Sequence, residues 1–149
     1  FDFAHYKAIH HFLFSDLYEW AGQIRTVNIS KKGTRFCPVE EIEQRTALIF
    51  DWLKKQDYFH NLPHDAFAGE IMDFYCVTND LHSFREGSGR TQRAFLTQLI
   101  RSTGHGINWS EMDPDLLMIA TIQAANGVKD LLKGVLDKGI VNNYHIYRC

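Results

Sequence analysis

The chain has 149 residues, 45% of them hydrophobic and 23% charged, the balance of one globular domain with a proper core and not of a disordered, collagen-like or coiled-coil chain. A formal net charge of −2 gives no global pull toward nucleic acid or an anionic membrane. Cys37, Cys76 and Cys149 are odd in number, far apart and outside any Cys-x-x-Cys pattern, which argues against a disulfide framework or a zinc site and fits a reducing compartment.

No apolar run approaches the ~20 residues of a membrane span, and no charged-then-apolar signal stands at the N-terminus. The expected location is therefore cytoplasmic. The chain begins at Phe1 in mid-pattern and without methionine, which reads as a piece of a longer protein.

In chain order, Phe3, Tyr6, Ile9, His10, Leu13 and Phe14 recur at helical spacing and predict an amphipathic helix ending near Ser15 and Asp16. Ile24 to Ile29 alternates with period two and is followed by Ser30-Lys31-Lys32-Gly33 and by Thr34 to Cys37, a β-hairpin with a basic tip. Pro38 suits the first turn of a helix carried on by Ile42, Arg45, Ile49, Trp52 and Leu53. A third helix runs from Pro63 towards Leu81, and a fourth from about Ser88 to a stop at Gly104. Gly106 to Asp113 reads as a connector. Two last helices, Leu116 to Ala125 and Val128 to Leu136, are separated by Asn126-Gly127, a pair suited to a left-handed helix end. The fold class is all-α with one hairpin: a domain over 1–141 and a C-terminal tail over 142–149, where order commonly fails.

The chemistry concentrates in His82-Ser83-Phe84-Arg85-Glu86-Gly87-Ser88-Gly89-Arg90-Thr91-Gln92-Arg93. A Gly-x-Gly turn exposes backbone N–H groups to an anion, and the helix it opens adds its positive dipole end. Arg90 and Arg93, at i and i+3, are expected on one face beside that anion, where arginine's fork suits phosphate. His82 is a candidate general base and Glu86 a candidate Mg²⁺ ligand. Each has a plainer alternative: a helix-end histidine held by a carbonyl, a favourable charge at a helix N-terminus, turn punctuation and solvated arginines. This is no Walker loop, because the G-x-x-x-x-G-K-[ST] spacing and the leading strand are both missing. His10, His11, His60 and His64 lack an HExxH or a cysteine partner and read as solvated or capping. Trp20, Trp52 and Trp109 read as core.

The segment closely resembles the signature of the Fic (Fic/Doc) family, His-Pro-Phe-x-(Asp/Glu)-Gly-Asn-Gly-Arg-x-x-Arg, with His82, Phe84, Glu86, Gly87, Gly89, Arg90 and Arg93 matching in register. Leu17-Tyr18-Glu19-Trp20-Ala21-Gly22 looks like the exit of the family's first helix, and Val27 to Ser30 with Arg35-Phe36 like its flap hairpin. The resemblance implies a Fic-type helical bundle that binds ATP with Mg²⁺ and transfers AMP to a Tyr, Ser or Thr hydroxyl of a target protein, releasing pyrophosphate. It makes His82 the base and Glu86 the metal ligand. Gly87, Ser88 and Gly89 would line the anion hole, with Arg90 and Arg93 on the β- and γ-phosphates. Ile29, Ser30, Lys31, Lys32 and Gly33 become the strip that docks the target by strand pairing, with an ordinary surface hairpin as the alternative. Asn126 more loosely resembles an adenine-contacting asparagine, against an equal reading as a helix C-cap.

Two departures stand out. Ser83 replaces the usual proline, and Ser88 the usual asparagine, whose amide helps hold phosphate; a serine has one hydroxyl donor instead, so weakened or retuned nucleotide binding is expected. The family's inhibitory pattern, (Ser/Thr)-x-x-x-Glu-(Gly/Asn), is not found here, so an inhibitor would lie upstream, on an antitoxin partner, or nowhere. The competing readings are a degenerate Fic domain acting as a scaffold, and transfer of another phosphate-containing moiety. Target identity and oligomeric state are not legible.

Overall fold

The computed structural model describes residues 1–142. Helix α1 (Phe3–Phe14) starts where the Asp2 carboxylate accepts the His5 N–H at 2.8 Å, which satisfies one of the donors a helix start leaves free. Its inward stripe is Tyr6, Ile9, His10 and Phe14. A 3₁₀ turn over Val39–Glu41 leads into α2 (Ile42–Lys55), which buries Ile42, Thr46, Phe50 and Leu53 at helical spacing. Then come α3 (His64–Leu81), α4 (Ser88–Ser102), α5 (Pro114–Ala125) and α6 (Asp130–Gly139). Asp113 caps α5 by accepting the Asp115 and Leu116 N–H groups, with Pro114 in the first turn.

Helices α3 and α4 pack together at the centre, α1 lies on α4, α2 on α3, and the α5–α6 pair covers α3. Between them sit Phe59, Phe67, Phe74, Phe84 and Phe95, all fully buried. Phe74 stacks on Phe95 at 5.7 Å and Tyr6 on Phe84 at 6.0 Å, contacts worth ~0.5–1.5 kcal/mol each beyond their burial. They lock α3 to α4, and α1 to the loop that carries the glycine turn.

The helical bundle with a hairpin is as expected, with three corrections in the small elements. The hairpin strands are only β1 (Ser30–Lys31) and β2 (Thr34–Arg35), paired antiparallel with Ser30 opposite Arg35 and Lys31 opposite Thr34. Lys32 and Gly33 both take positive φ, 49° and 80°, the type I′ turn that fits a twisted two-residue hairpin loop. The alternating run Ile24 to Ile29 is not a strand. Its inward residue is Arg25, whose N–H goes to the Ser83 carbonyl at 3.0 Å, so the run docks on a loop rather than on a neighbouring strand. The expected connector Gly106 to Asp113 holds β3 (His105–Ile107) and a 3₁₀ turn over Trp109–Glu111, and β3 pairs with β4 (Ile140–Asn142). Asn142, read as the start of the tail, thus lies opposite His105 in a ladder; the rest of that tail, Cys149 included, falls outside the described residues.

Candidate active site

Helix α3 ends because His82 turns left-handed, with φ 42° and ψ 63°, a conformation costing a non-glycine residue roughly 1 kcal/mol or more. Its N–H still donates to the Thr78 carbonyl at 3.1 Å. The imidazole lies parallel to the Phe36 ring of the hairpin base, with centroids 3.9 Å apart and planes 10° apart. Neither ring nitrogen has a hydrogen-bond partner among the described residues. Burial, then the positive charges of Arg25 and Lys31, push its pKa down to about 4, so at neutral pH the ring is an uncharged proton acceptor.

Gly87 begins α4 with φ 80°. A side chain there would be strained by that angle and would run into the Phe14 ring, so glycine is required twice over. The first intrahelical bond runs from the Thr91 N–H to the Gly87 carbonyl. That leaves the N–H groups of Ser88, Gly89 and Arg90 without acceptors among the described residues, the arrangement that binds anions at helix starts. Ser88 is buried, and its hydroxyl is engaged elsewhere: Oγ accepts the Phe84 N–H at 3.1 Å and donates to the Phe84 carbonyl at 3.0 Å. It staples the signature loop, and the groups at the helix start left without partners among the described residues are the backbone N–H groups and Arg93.

A cavity of about 440 Å³ opens over this turn, lined by His82, Ser88, Gly89 and Arg93, by Lys31, Lys32 and Phe36 of the hairpin, and by Trp109, Met118 and Ile122 opposite, a volume suited to a small organic ligand. The hairpin tip reaches across it, where Lys32 Nζ lies 2.9 Å from Met118 Sδ. The Arg93 guanidinium has no ion-pair partner among the described residues, so its charge faces the cavity uncompensated.

Other expected site residues stand apart. The Arg90 guanidinium sits over the Phe14 ring at 5.1 Å and is exposed, so the two arginines part company. Glu86 is exposed, its carboxylate without a partner among the described residues, while its carbonyl accepts a hydrogen bond from His10. Asn126 is exposed at the end of α5 and donates Nδ2 to the Ile122 carbonyl at 3.0 Å, the geometry of the cap reading; its neighbour Ala125 and that same Ile122 line the cavity. Ile29, Ser30 and Gly33 belong to the hairpin but do not line the cavity.

Several supporting residues carry no signal in the sequence. His10, read as solvated or capping, is fully buried against Phe84 at 3.8 Å. Its Nδ1 accepts the Gly22 N–H at 2.8 Å, so Nε2 carries the proton and donates to the Glu86 carbonyl at 2.8 Å; burial pushes its pKa down. Gln92 donates to the Tyr75 carbonyl and to Thr78 Oγ1, both at 2.8 Å, holding α4 to α3. Trp109, read as core, walls the cavity and donates to Thr97 Oγ1 at 2.9 Å.

The chain is similar in sequence, and its fold similar in structure, to known proteins. The chain is 39% identical over 127 residues to y4lH of Sinorhizobium fredii, named a probable protein adenylyltransferase, covering 85% of this chain and 66% of that one. It is 34% identical over 140 residues to the protein adenylyltransferase VbhT of Bartonella schoenbuchensis, covering 94% of this chain and 29% of that one. The chain thus spans just under two thirds of the first relative's length and less than a third of the second's. Among solved structures, the N-terminal Fic domain of a VirB-translocated Bep effector from Bartonella quintana, with ADP bound, superposes with a TM-score of 0.89 at 21% identity, over 99% of this chain and 77% of that one. Residues 1–100 match the model of the Fic/DOC family. On that match, and on the in-register signature from His82 to Arg93, this chain belongs to the Fic/DOC family.

Proposed function

We propose that the chain is a protein adenylyltransferase that moves AMP from ATP to a side-chain hydroxyl of a target protein. The observation that carries this reading is His82: a neutral imidazole with both nitrogens free, at the rim of a cavity whose floor is a helix N-terminus and Arg93. VbhT is named a protein adenylyltransferase and y4lH a probable one, in line with that chemistry.

In this reading His82 takes the proton of the target hydroxyl as its oxygen forms a bond to the α-phosphorus of ATP. The bond from that phosphorus to the bridging oxygen breaks, and pyrophosphate leaves with the electron pair. Backbone N–H groups of Ser88 and Gly89, with Arg93, receive the charge of the polyphosphate. Arg90 and Asn126 are assigned to the β-phosphate and the adenine, which requires Arg90 to leave Phe14 and Asn126 to release its own helix carbonyl. The unpaired outer edges of β1 and β2 suit docking of a target segment by strand addition along Ile29 to Gly33.

Mg²⁺ fits the donor set. Among the described residues no group of three or more His, Cys, Asp or Glu could hold a metal ion, so Glu86 would be the lone carboxylate on an ion completed by phosphate oxygens and water, the mode Mg²⁺ favours. When bound, such an ion supplies neutralisation of the phosphate charge. We further assign the chain to the cytoplasm, or to a host cytosol after translocation, and leave its inhibitor to an upstream helix or an antitoxin partner. Among the described residues no helix is long and apolar enough to cross a membrane.

One observation favours a second reading, a nucleotide-binding scaffold: the Ser88 hydroxyl, tied to Phe84, cannot serve a phosphate at the same time. Incubation with ATP radiolabelled at the α-phosphate, and in parallel at the γ-phosphate, separates the two. Protein labelled from the α position only, and not by His82→Ala, is the expected result; ATP binding with no transfer from either position would replace adenylylation with the scaffold.

A further inference from the structure

The buried guanidinium of Arg25 has no part in the reaction as written, yet it makes more connections around His82 than any other side chain near the site. Arg25 is 4% exposed. Its Nε donates to the His82 carbonyl at 2.7 Å, one Nη to the Val27 carbonyl at 2.8 Å, and the other to the carbonyls of Cys37 and Leu81 at 2.5 and 3.2 Å. Its backbone N–H donates to the Ser83 carbonyl at 3.0 Å. Three successive carbonyls, of Leu81, His82 and Ser83, therefore answer to one residue. No carboxylate pairs with it among the described residues; the charge rests at the carbonyl end of α3, where a helix favours a cation.

These contacts join two parts of the site through one side chain. One is the left-handed turn at His82, a strained backbone that holds its shape only where its surroundings over-determine it. The other is the base of the hairpin, where Cys37 also donates its own N–H to the Asp80 carbonyl at 2.8 Å. Cys37 follows Phe36, whose ring covers the His82 imidazole. We infer that Arg25 is a positioning residue that binds the His82 turn and the hairpin base to one guanidinium, so that the imidazole and the target-docking hairpin keep a fixed register. The role needs a planar fork with several donors, which lysine lacks. As a device that aims the base at a docked target, it rests on the proposed adenylyltransferase reading.

The test compares the wild-type chain with Arg25→Lys, which keeps the charge and loses the fork. By NMR, the variant is expected to lose ring-to-ring contacts between His82 and Phe36 while those between Tyr6 and Phe95, whose centroids lie 5.2 Å apart in the core, persist. ATP affinity should stay within about threefold, because the cradle at Gly87 to Arg93 is untouched. Transfer to target should become tenfold or more less efficient, through a lower kcat and a higher KM for the target, with KM for ATP unchanged. Unchanged His82–Phe36 contacts in a folded variant overturn the inference. If the variant does not fold, relaxation dispersion on the wild type decides: one shared exchange rate for Arg25 Nε–H, Phe36, Cys37 and His82 upholds it, and separate rates for hairpin and histidine overturn it. Both NMR readouts stand without any transfer, so a failure of the adenylyltransferase reading is seen separately, as wild-type protein that binds ATP and modifies nothing.

Discussion

Replacing Ser88 by alanine should destabilise the fold itself, before any nucleotide is added. The serine hydroxyl both accepts from the N–H and donates to the carbonyl of Phe84, a residue with no exposed surface. Removing it takes away two hydrogen bonds, each worth ~1 kcal/mol net, and leaves two buried backbone groups whose desolvation costs ~1–3 kcal/mol each where nothing replaces the partner. Arg85 and Glu86 next in the loop are exposed, so water can reach part of it, and the expected loss is ~2–4 kcal/mol. Urea unfolding followed by circular dichroism reads this as a midpoint lower by roughly 1–2 M at a slope of ~2 kcal/mol/M. Ser88→Asn should also lose stability without ATP, because its longer amide cannot reproduce the two-way bridge. A Ser88→Ala midpoint matching the wild type, together with weakened ATP binding, would refute this and make the hydroxyl a phosphate ligand.

Three more outcomes follow from the geometry. The folded pKa of His82, about 4, lies below the unfolded value of ~6.5; kcat/KM should hold through neutral pH and fall only towards pH 4, and the stability contributed by the neutral ring should be present above ~6.5 and lost as pH drops through 4, checked by a pH–rate profile and by NMR titration of the ring. Gly87→Ala should cost ~2–4 kcal/mol in denaturant unfolding, from the left-handed φ and from displacing the buried Phe14 ring. Arg93→Ala should weaken ATP binding by ~10-fold or more, as expected for losing a charge-assisted contact, and Arg90→Ala by much less, since only Arg93 faces the cavity without ATP; calorimetric titration measures both.

The sequence makes the site legible where its chemistry is local. From His82 to Arg93 the turn, the helix start and the candidate side chains sit within a single short segment, so spacing alone points to an open helix start beside His82 and Arg93. The long helices were legible for a similar reason, since an apolar stripe repeats several times within each. What was not legible depends on distant partners. His10 answers to Glu86 across 76 positions and Arg25 to His82 across 57, and no local pattern marks a histidine whose two nitrogens are both taken or an arginine that binds carbonyls. Arg25 in fact misled, because an inward-facing arginine within an alternating run imitates a strand. The two- and three-residue strands are too short to show a period, which is why the sequence marks neither β3 nor β4. Helical spacing sets Arg90 and Arg93 on one face; the Phe14 ring, brought in by α1, holds the Arg90 guanidinium, and of the two arginines Arg93 lines the cavity.

The central claim is transfer of AMP with His82 as base, and intact-protein mass spectrometry of a target mixture incubated with ATP and Mg²⁺ tests it most directly. The wild-type chain should add the mass of one AMP to a Tyr, Ser or Thr side chain, while His82→Ala, shown by calorimetry to bind ATP with wild-type affinity, adds none. Equal modification by His82→Ala would contradict the role of His82, and wild-type protein that binds ATP but adds no AMP would contradict the activity.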